Sequence, residues 1–179
     1  MKTVFDPTQA PIDTIAAELP LEPGRLHPDW LRRRFREPAQ WSPEFTDEHK
    51  LRDPLKVPVP ASVLVPLVAR DDDLSLLLTQ RTAHLHDHAG QISFPGGRAD
   101  PEDADVIATA LRETEEEIGL SRRHIEIIGS LPDYFTGTGY QVTPVVGLVH
   151  PPFELSADEF EVAEIFEVPM SFLMNGANH

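Results

Sequence analysis

Apolar and polar positions first fall into a regular order near residue 61. Two apolar runs, SVLVPLVAR (62–70) and LSLLLTQR (74–81), flank a DDD turn and predict a β-hairpin. Pro66 lies inside the first run and has no backbone N–H, so we expect that strand to lie at a sheet edge or to be bulged there. QISFPGG (91–97) predicts a short extended segment that ends in a double-glycine turn.

A helical pattern follows this segment. Asp100 is a favourable N-cap and Pro101 suits the first helical position, so we predict that the helix begins there. One side is apolar at helical spacing, at Ile107, Leu111, Thr114 and Ile118. Gly119 is a natural terminator, because glycine adopts the left-handed conformation of a helix end without strain. We expect the apolar side to face the core.

Three later segments complete the regular part of the chain. HIEIIGSL (124–131) and YQVTPVVGLV (140–149) predict strands, with FTGTG as the loop between them. FEVAEIFEVPMSFLM (160–174) predicts a strand followed by the start of a helix. We therefore interpret 61–179 as one domain of mixed strands and helices.

Residues 1–60 have a different composition, with ten of the 18 prolines and poor apolar periodicity. One exception is HPDWLRRRFREP (27–38), where Asp29 can cap a short helix. Its apolar side consists of Trp30, Leu31 and Phe35. The surrounding arginines (32–36) form a solvated helix face or, alternatively, bind an anionic ligand or partner. We interpret 1–60 as a proline-rich arm packed on the core.

Overall composition narrows the function. The 179 residues are 40% apolar and 25% charged, as in an ordinary globular protein. A formal net charge of −15 repels phosphate backbones and argues against nucleic-acid binding through a basic face. The absence of cysteine excludes disulfides, thiol catalysis and thiolate metal sites. Because no segment resembles a signal peptide or a membrane span, we expect a soluble, cytoplasmic protein.

RETEEEIG (112–119) places four glutamates in five positions near the end of the predicted helix, where the helix dipole disfavours negative charge. At about 100° per residue, Glu113, Glu116 and Glu117 lie within about 100° of one another, opposite the apolar side. Three such carboxylates suit Mg²⁺ or Mn²⁺, and Arg112 can hold one of them by a charge-assisted bond. The alternative is a solvated acidic helix end.

GGRADPEDADVIATALRETEEEIGL (96–120) resembles the Nudix box of hydrolases that cleave nucleoside diphosphates linked to another moiety. That pattern is a glycine, a glutamate and then REUxEExGU, with U apolar. Its end matches at Arg112, Glu113, Glu116, Glu117 and Gly119. The chain departs from the pattern at Thr114, at Glu102 or Asp103 in place of the first glutamate, and by one added residue between Gly97 and Arg112.

A second stretch, LLTQRTAHLHDHAGQISFPGG (77–97), resembles the signature LLTxR[SA]xxxRxxxGxxxFPGG of the coenzyme A pyrophosphatases, a Nudix subgroup. Thr82 replaces Ser or Ala, and His86 replaces the second Arg. The resemblance covers about residues 61–174 and implies the Nudix fold, an α/β (α+β) sandwich with a mixed β-sheet between helices. Family members usually continue with another strand and helix, so the domain is either naturally short or truncated at its C-terminus.

The resemblance also implies a site. Metal ligands would be Gly97, through its carbonyl, and Glu113, Glu116 and Glu117. Arg112 would orient these glutamates. The general base would be a box glutamate or one of Glu159, Glu161 and Glu164, of which we favour Glu161. Substrate-binding positions would be Arg81, His86, Phe94 and Gly96.

Two sets of residues near this site have more than one interpretation. HLHDH (84–88) is interpreted as a loop near the substrate, with a transition-metal cluster as the alternative. Phe135 and Tyr140 would either stack on adenine, line a channel for pantetheine, or pack in the core.

The expected reaction is hydrolysis of the diphosphate of coenzyme A, or an acyl derivative, to 3′,5′-ADP and 4′-phosphopantetheine or its acyl form, with Mg²⁺ or Mn²⁺. One alternative is another nucleoside diphosphate derivative, such as an ADP-sugar or a dinucleotide. A catalytically silent binding module on the same fold is the other. The expected partner is thus a small molecule, and a homodimer is a candidate assembly.

Overall fold

The computed structural model describes residues 21–38, 57–70, 73–84 and 89–178, which contain eight strands and three α-helices. The strands are β1 (Val59–Ala69), β2 (Leu74–Arg81), β3 (Ile92–Ser93), β4 (Gly96–Arg98), β5 (Ile125–Ser130), β6 (Tyr134–Phe135), β7 (Tyr140–Val149) and β8 (Val162–Pro169). The helices are α1 (Pro28–Arg36), α2 (Val106–Ile118) and α3 (Met170–Leu173).

The strands form one mixed sheet in the order β3-β2-β1-β7-β5. β1 runs parallel to β7, from Val59 opposite Tyr140 to Val68 opposite Val149. The other pairings are antiparallel: β2 with β1, β3 and β8, β4 with β1, and β5 and β6 with β7. The predicted hairpin of β1 and β2 is confirmed, as are the strands predicted at 124–131 and 140–149 and the strand with a helical start within 160–174.

Pro66 lies in a central strand, so the prediction of an edge or bulged strand is wrong. Gly147 is its partner across the parallel pair. On the other side of β1, residues 61–63 pair with β4 and residues 67–69 pair with β2. Pro66 is accommodated because β1 changes its partner there, so that a residue without an N–H interrupts neither pairing.

Helices cover both faces of the sheet. The core on one face combines the end of α2 with the sheet through Ile118, Leu120, Val68, Leu77 and Val149. On the other face, α1 and α3 contribute Leu31, Phe35 and Met170, which pack on Leu67, Leu74, Val146 and Leu148. Successive residues of β1 and β7 alternate between the two cores, as the strand period of two requires. The predicted α/β/α sandwich with a mixed sheet between helices is confirmed.

Helix α2 begins later than predicted. Its N-cap is Asp105, whose Oδ1 accepts from the N–H of Ala108 at 2.8 Å, and not Asp100. Asp100 instead closes a turn, because its Oδ1 accepts from the N–H of Glu102 at 2.9 Å. Both aspartates have suitable cap chemistry, and the tertiary contacts of the intervening loop decide between them. Gly119 ends the helix with φ 68°, as predicted.

The buried side of α2 is also rotated from the predicted stripe. Ala110, Thr114 and Ile118 are fully buried, whereas Ile107 is 36% exposed. Glu117 lies on this buried side with 6% of its surface exposed. Of the three glutamates, Glu117 therefore lies on the core side of the helix, Glu113 is partly buried, and Glu116 is exposed.

Helix α1 packs on β5. Its N-cap is His27, whose Nδ1 accepts from the N–H of Asp29 at 3.3 Å, so the prediction of Asp29 as the cap is wrong. Arg32 is not simply solvated, because its guanidinium donates to both oxygens of Glu126. Phe35 packs so closely that a Cβ on Gly129 would lie 2.5 Å from its ring.

The remaining parts of the predicted arm, 1–20 and 39–56, lie outside the described residues. The division into an arm (1–60) and a domain (61–179) therefore stays a prediction. Within the described part of the chain, the helices are too short or too polar to cross a membrane.

Candidate active site

Strand β4 brings its two glycines directly against β1. A Cβ on Gly96 would lie 2.4 Å from the carbonyl oxygen of Ser62 and 2.5 Å from Cα of Val63, so a larger residue cannot be placed there without moving β1. Gly97 pairs with Ser62 across the same ladder. The double-glycine turn predicted from the sequence is therefore a strand, and its close pairing positions the backbone of the site.

Gly97 is also the point where β4 meets α2. A Cβ on Gly97 would lie 2.6 Å from Cδ of Glu113, inside the space that the carboxylate occupies. The Glu113 carboxylate thus lies directly against the Gly97 backbone. Two of the predicted metal ligands, which are 16 positions apart in the chain, are adjacent in the fold.

Arg112 connects the helix to β4 and to the preceding loop. Its Nη1 donates to Glu113 Oε1 and Glu116 Oε2, each at 2.9 Å. Its Nη2 donates to the carbonyl of Arg98 at 3.0 Å, and Asp103 accepts from Nε and Nη2 at 3.0 Å each. Five bonds match the five N–H groups of a guanidinium, so the arrangement holds both glutamates in place.

Asp103 is the anchor of Arg112 in this arrangement. Its carboxylate also accepts from the hydroxyl of Thr109 at 2.9 Å. The Arg112 bonds hold the pKa of Asp103 well below its usual range. Of the two acids that replace the first glutamate of the motif, Asp103 thus contacts Arg112, while Glu102 is exposed. Sequence reasoning left that choice open, because one added residue makes either register fit.

Glu117 has a different environment from the other two glutamates. It is buried and accepts from the N–H of Gly96 at 3.2 Å. Burial, with the neighbouring Glu161 and Glu113 carboxylates as weaker causes, raises the pKa of Glu117 to about 7, although the Gly96 bond and Arg81 oppose the shift. Burial likewise raises the pKa of Glu113 despite its bond to Arg112. The site therefore concentrates negative charge where water screens it poorly.

Glu161 reaches this cluster from the loop before β8. The loop is attached to the end of α2, because Asp158 N–H donates to the Glu117 carbonyl at 2.8 Å. It is attached to the end of β2 as well, where Thr82 N–H donates to the Glu161 carbonyl at 2.9 Å. Of the other candidate bases, Glu159 and Glu164 are exposed, and Glu164 lies opposite Gln80 in the sheet. The geometry favours Glu161, although its role stays a prediction.

Arg81 ends β2 beside these acids. Its charge lowers the pKa of Glu117 against the stronger effect of burial, so the guanidinium lies near that carboxylate. Its Nε is buried and has no hydrogen-bond partner among the described residues. A buried N–H without a partner is costly, so this arginine is held at some energetic cost beside the acids.

The other predicted substrate-binding residues are Gly96, Phe94 and His86. The N–H of Gly96 points to Glu117, and Phe94 is half-buried between β3 and β4. His86 lies outside the described residues, as does 85–88 of the HLHDH loop. Tyr140 is half-buried with the Arg98 guanidinium 5.6 Å above its ring.

The carboxylates are not arranged as a complete set of metal ligands. Across 21–38, 57–70, 73–84 and 89–178, no group of three or more His, Asp or Glu side chains is arranged to hold a metal ion. Glu113 and Glu116 are turned to Arg112, and Glu117 to Gly96. The donors nevertheless fit a hard divalent cation, because they are all oxygens, they carry surplus negative charge, and one lies against a glycine backbone that leaves no room for a side chain.

A cavity of about 360 Å³ opens on the far side of Asp103, by the start of α2. Its polar lining consists of Ser62, Asp103, Asp105, Thr109, Asp133, Gln141 and Thr143. Asp133 accepts from Gln141 and Thr143 at 2.7 Å each. Because Glu113, Glu116 and Glu117 do not line it, we place the chemistry at the glutamates and not in this cavity.

Comparison with known proteins gives one family. The NUDIX domain model matches residues 58–168, more than half of the chain. Uncharacterized Nudix hydrolase NudL of Escherichia coli O7:K1 (strain IAI39 / ExPEC) is 52% identical over 111 residues, which are 62% of this chain and 57% of that protein. NudL of Shigella boydii serotype 18 has the same identity and coverage. The chain thus spans little more than half the length of these curated relatives.

Solved structures agree on the fold. The Nudix hydrolase RenU from M. smegmatis superposes with a TM-score of 0.54 at 19% identity, over 64% of this chain and 72% of that chain. The NUDIX domain of Shewanella oneidensis NrtR, complexed with ADP ribose, gives 0.51 at 21% identity, over 68% and 80%. At these identities the likeness establishes the fold and carries no statement about the substrate.

Proposed function

The chain belongs to the NUDIX domain family, and on that premise we propose that it hydrolyses the diphosphate bond of coenzyme A or an acyl derivative. The products are 3′,5′-ADP and 4′-phosphopantetheine or its acyl form. The observation that carries the proposal is that two separate motifs converge: Arg81, Gly96 and Gly97 of the coenzyme A pyrophosphatase signature lie beside the glutamates of the Nudix helix.

Divalent metal ions are general in this family, and we propose Mg²⁺ or Mn²⁺ here. Glu113, Glu116, Glu117 and the Gly97 carbonyl would hold them. Such ions, when bound, neutralise diphosphate oxygens and lower the pKa of bound water.

The protein groups have separate roles in the reaction. A water oxygen adds to one phosphorus while the bridging P–O bond breaks, and Glu161 takes the proton of that water. The departing phosphate keeps the electron pair of the broken bond. The guanidinium of Arg81, whose charge lies near Glu117, donates to a phosphate oxygen. Arg112, itself held by Asp103, keeps Glu113 and Glu116 in position.

A second candidate is another nucleoside diphosphate derivative, such as an ADP-sugar or a dinucleotide. The observation that favours it is His86, which stands where the coenzyme A signature has an arginine. The ADP ribose in the related NrtR domain makes ADP-ribose a natural member of the test panel. A homodimer and a cytoplasmic location stay predictions.

The test is product analysis by mass spectrometry. The protein is mixed with coenzyme A and Mg²⁺ or Mn²⁺, with an EDTA control and with ADP-ribose and diadenosine polyphosphates in parallel. Formation of 3′,5′-ADP and phosphopantetheine only with metal supports the proposal. Turnover of another diphosphate alone selects the second candidate, and folded protein that turns over none of them indicates a binding module.

A further inference from the structure

An exposed aromatic pair lies at the rim of the candidate active site. Phe160 is 65% exposed, and its ring meets that of His84 at 4.9 Å between centroids in an edge-to-face arrangement. Phe160 directly precedes Glu161, so about 3.8 Å separates their Cα atoms. His84 follows Arg81 by three positions. The pair therefore lies between the two chain segments that supply the predicted base and the predicted phosphate-binding arginine.

The position of Phe160 is fixed by hydrogen bonds on both sides. Its N–H donates to Asp158 Oδ1 at 2.8 Å, and its carbonyl accepts from the buried hydroxyl of Thr82 at 2.8 Å. Together with the hydrogen bond between the loop and α2, these two bonds fix the backbone that carries the exposed Phe160 ring. A phenylalanine ring forms no hydrogen bond with water to offset its exposure, and Phe160 is the most exposed Phe, Tyr or Trp in the described ranges.

We propose that Phe160, supported by His84, is the surface on which the nucleobase of the substrate stacks. This inference rests on the proposed function, because it assigns the non-phosphate end of the same substrate. An aromatic side chain can stack on any nucleobase, and each stacked base adds substantially to the binding free energy of the ligand. The edge-to-face contact with His84 orients the ring beforehand, which lowers the entropy that binding must remove.

The base fits this surface better than the other end of the substrate. In a nucleoside diphosphate, one ribose separates the base from the diphosphate, so a base-binding ring must lie close to the catalytic groups, and Phe160 is the neighbour in sequence of the predicted base Glu161. A flat, exposed ring matches a planar base, whereas a flexible chain with amide groups requires a groove with hydrogen-bond partners. The adenine base is also shared by coenzyme A, ADP-sugars and adenine dinucleotides, so one surface serves both candidate functions.

The experiment compares four proteins: wild type, Phe160→Ala, Phe160→Trp and the control Phe172→Ala. Phe172 is similarly exposed, at 53%, but it lies on α3 beyond the opposite end of β8. For each, KM and kcat for coenzyme A are measured, together with inhibition constants for 3′,5′-ADP and 4′-phosphopantetheine. These two inhibitors represent the base-containing half and the tail half of the substrate.

We expect Phe160→Ala to raise KM for coenzyme A and the inhibition constant of 3′,5′-ADP by about tenfold. The inhibition constant of 4′-phosphopantetheine and kcat stay unchanged, Phe160→Trp restores binding, and Phe172→Ala behaves as wild type. An unchanged constant for 3′,5′-ADP overturns the inference. A selective loss of 4′-phosphopantetheine binding overturns it as well, because the ring would then contact the tail.

A separate measurement distinguishes failure of this inference from failure of the proposed function. Calorimetric titration with 3′,5′-ADP and AMP needs no turnover. If wild type does not hydrolyse coenzyme A but Phe160→Ala still weakens nucleotide binding, the inference stands and the substrate assignment falls. If wild type binds neither nucleotide, or if Phe160→Ala binds them equally well, the inference falls.

Discussion

Two arginines of this protein each hold a group of carboxylates, and their surroundings differ. Arg32 on α1 pairs with Glu126 and Asp29, whose side chains are 41% and 63% exposed. Arg112 on α2 pairs with Asp103 and Glu113, which are 8% and 18% exposed. The arginine bond lowers the pKa of Glu126 to about 2, yet the pKa of Glu113 is raised because burial outweighs its arginine bond.

Arginine–carboxylate bonds therefore have two different roles in this protein. On the surface, water screens the two acids around Arg32, and the Arg32–Glu126 bonds attach α1 to β5. At the site, Arg112 cannot neutralise all the acids around it, so charge remains that a divalent cation can compensate.

Glu117→Gln is expected to have opposite effects on activity and stability. It removes a predicted metal ligand, so we expect turnover to fall by about a hundredfold or more. Its amide oxygen can still accept from Gly96, while a poorly screened buried charge is lost, so stability without metal is expected to rise by about 1 kcal/mol at neutral pH. Steady-state kinetics measure turnover, and urea unfolding in EDTA measures stability without metal.

Glu115→Gln is the matched control for that substitution. Glu115 is two positions away on the same helix but bonds to Arg122 at 2.6 Å, away from the cluster. We expect its turnover to equal that of wild type. Equal losses in the two variants would contradict the assignment of Glu117 to the site.

Gly97→Ala tests the contact between β4 and α2. The added Cβ would occupy the place of the Glu113 carboxylate and displace it, so we expect metal-dependent turnover to fall about tenfold to a hundredfold. Gly24→Ala is the control, because a Cβ there meets nothing within 4 Å. Full activity of Gly97→Ala at saturating Mn²⁺ and at low Mn²⁺ would show that this contact does not position Glu113.

Asp103→Asn tests the anchor of Arg112. It removes the charge that holds the guanidinium, so we expect Mn²⁺ affinity to fall about tenfold, as for other residues that position metal ligands. Calorimetric titration with Mn²⁺ measures it. Glu102→Gln, at the neighbouring exposed position, should bind Mn²⁺ as wild type does. The reverse order would mean that Glu102 is the functional acid of the motif.

Arg32→Gln breaks the surface network and should leave turnover unchanged. Because the pair is partly exposed to water, we expect a loss of about 1 kcal/mol or less in the free energy of unfolding. Since the folded pKa of Glu126 lies below its unfolded value, this contribution is complete above about pH 4.5 and is lost as pH falls towards about 2.

Urea unfolding at pH 7 and pH 3 checks the pH dependence. The difference between wild type and Arg32→Gln should shrink at the lower pH, while Arg33→Gln, an exposed neighbour on α1, should match wild type at both. A difference that grows on acidification would contradict the assignment.

Sequence reasoning worked best where the signal is local. The strands at 124–131 and 140–149, the helix end at Gly119 and the spacing of the glutamates follow from periodicity and backbone preference. It failed at Pro66 and Asp100. A proline disfavours a central strand only where the ladder needs its N–H, and an aspartate caps a helix only if the following residues are free to coil.

At the candidate site, the motif brought Arg112, Glu113, Glu116 and Glu117 into consideration together, since helical spacing follows from sequence. The choice of Asp103 over Glu102 depends on which side chain reaches Arg112 across a loop. Phe160 was missed because a single exposed aromatic residue has no periodic signal. Its position beside Glu161 depends on the bonds that the loop makes with α2 and β2.

The family, the acidic oxygen-donor chemistry and the order of the longer strands and of α2 follow from the sequence alone, because these depend on residue type and near-neighbour spacing. The tertiary structure alone decided that Glu117 is buried, that Gly97 lies against Glu113, and that Glu161 and Arg81 meet at one place. Burial and proximity between distant segments arise only when the sheet and the helices pack. They also set the pKa of each carboxylate, and so what each can do.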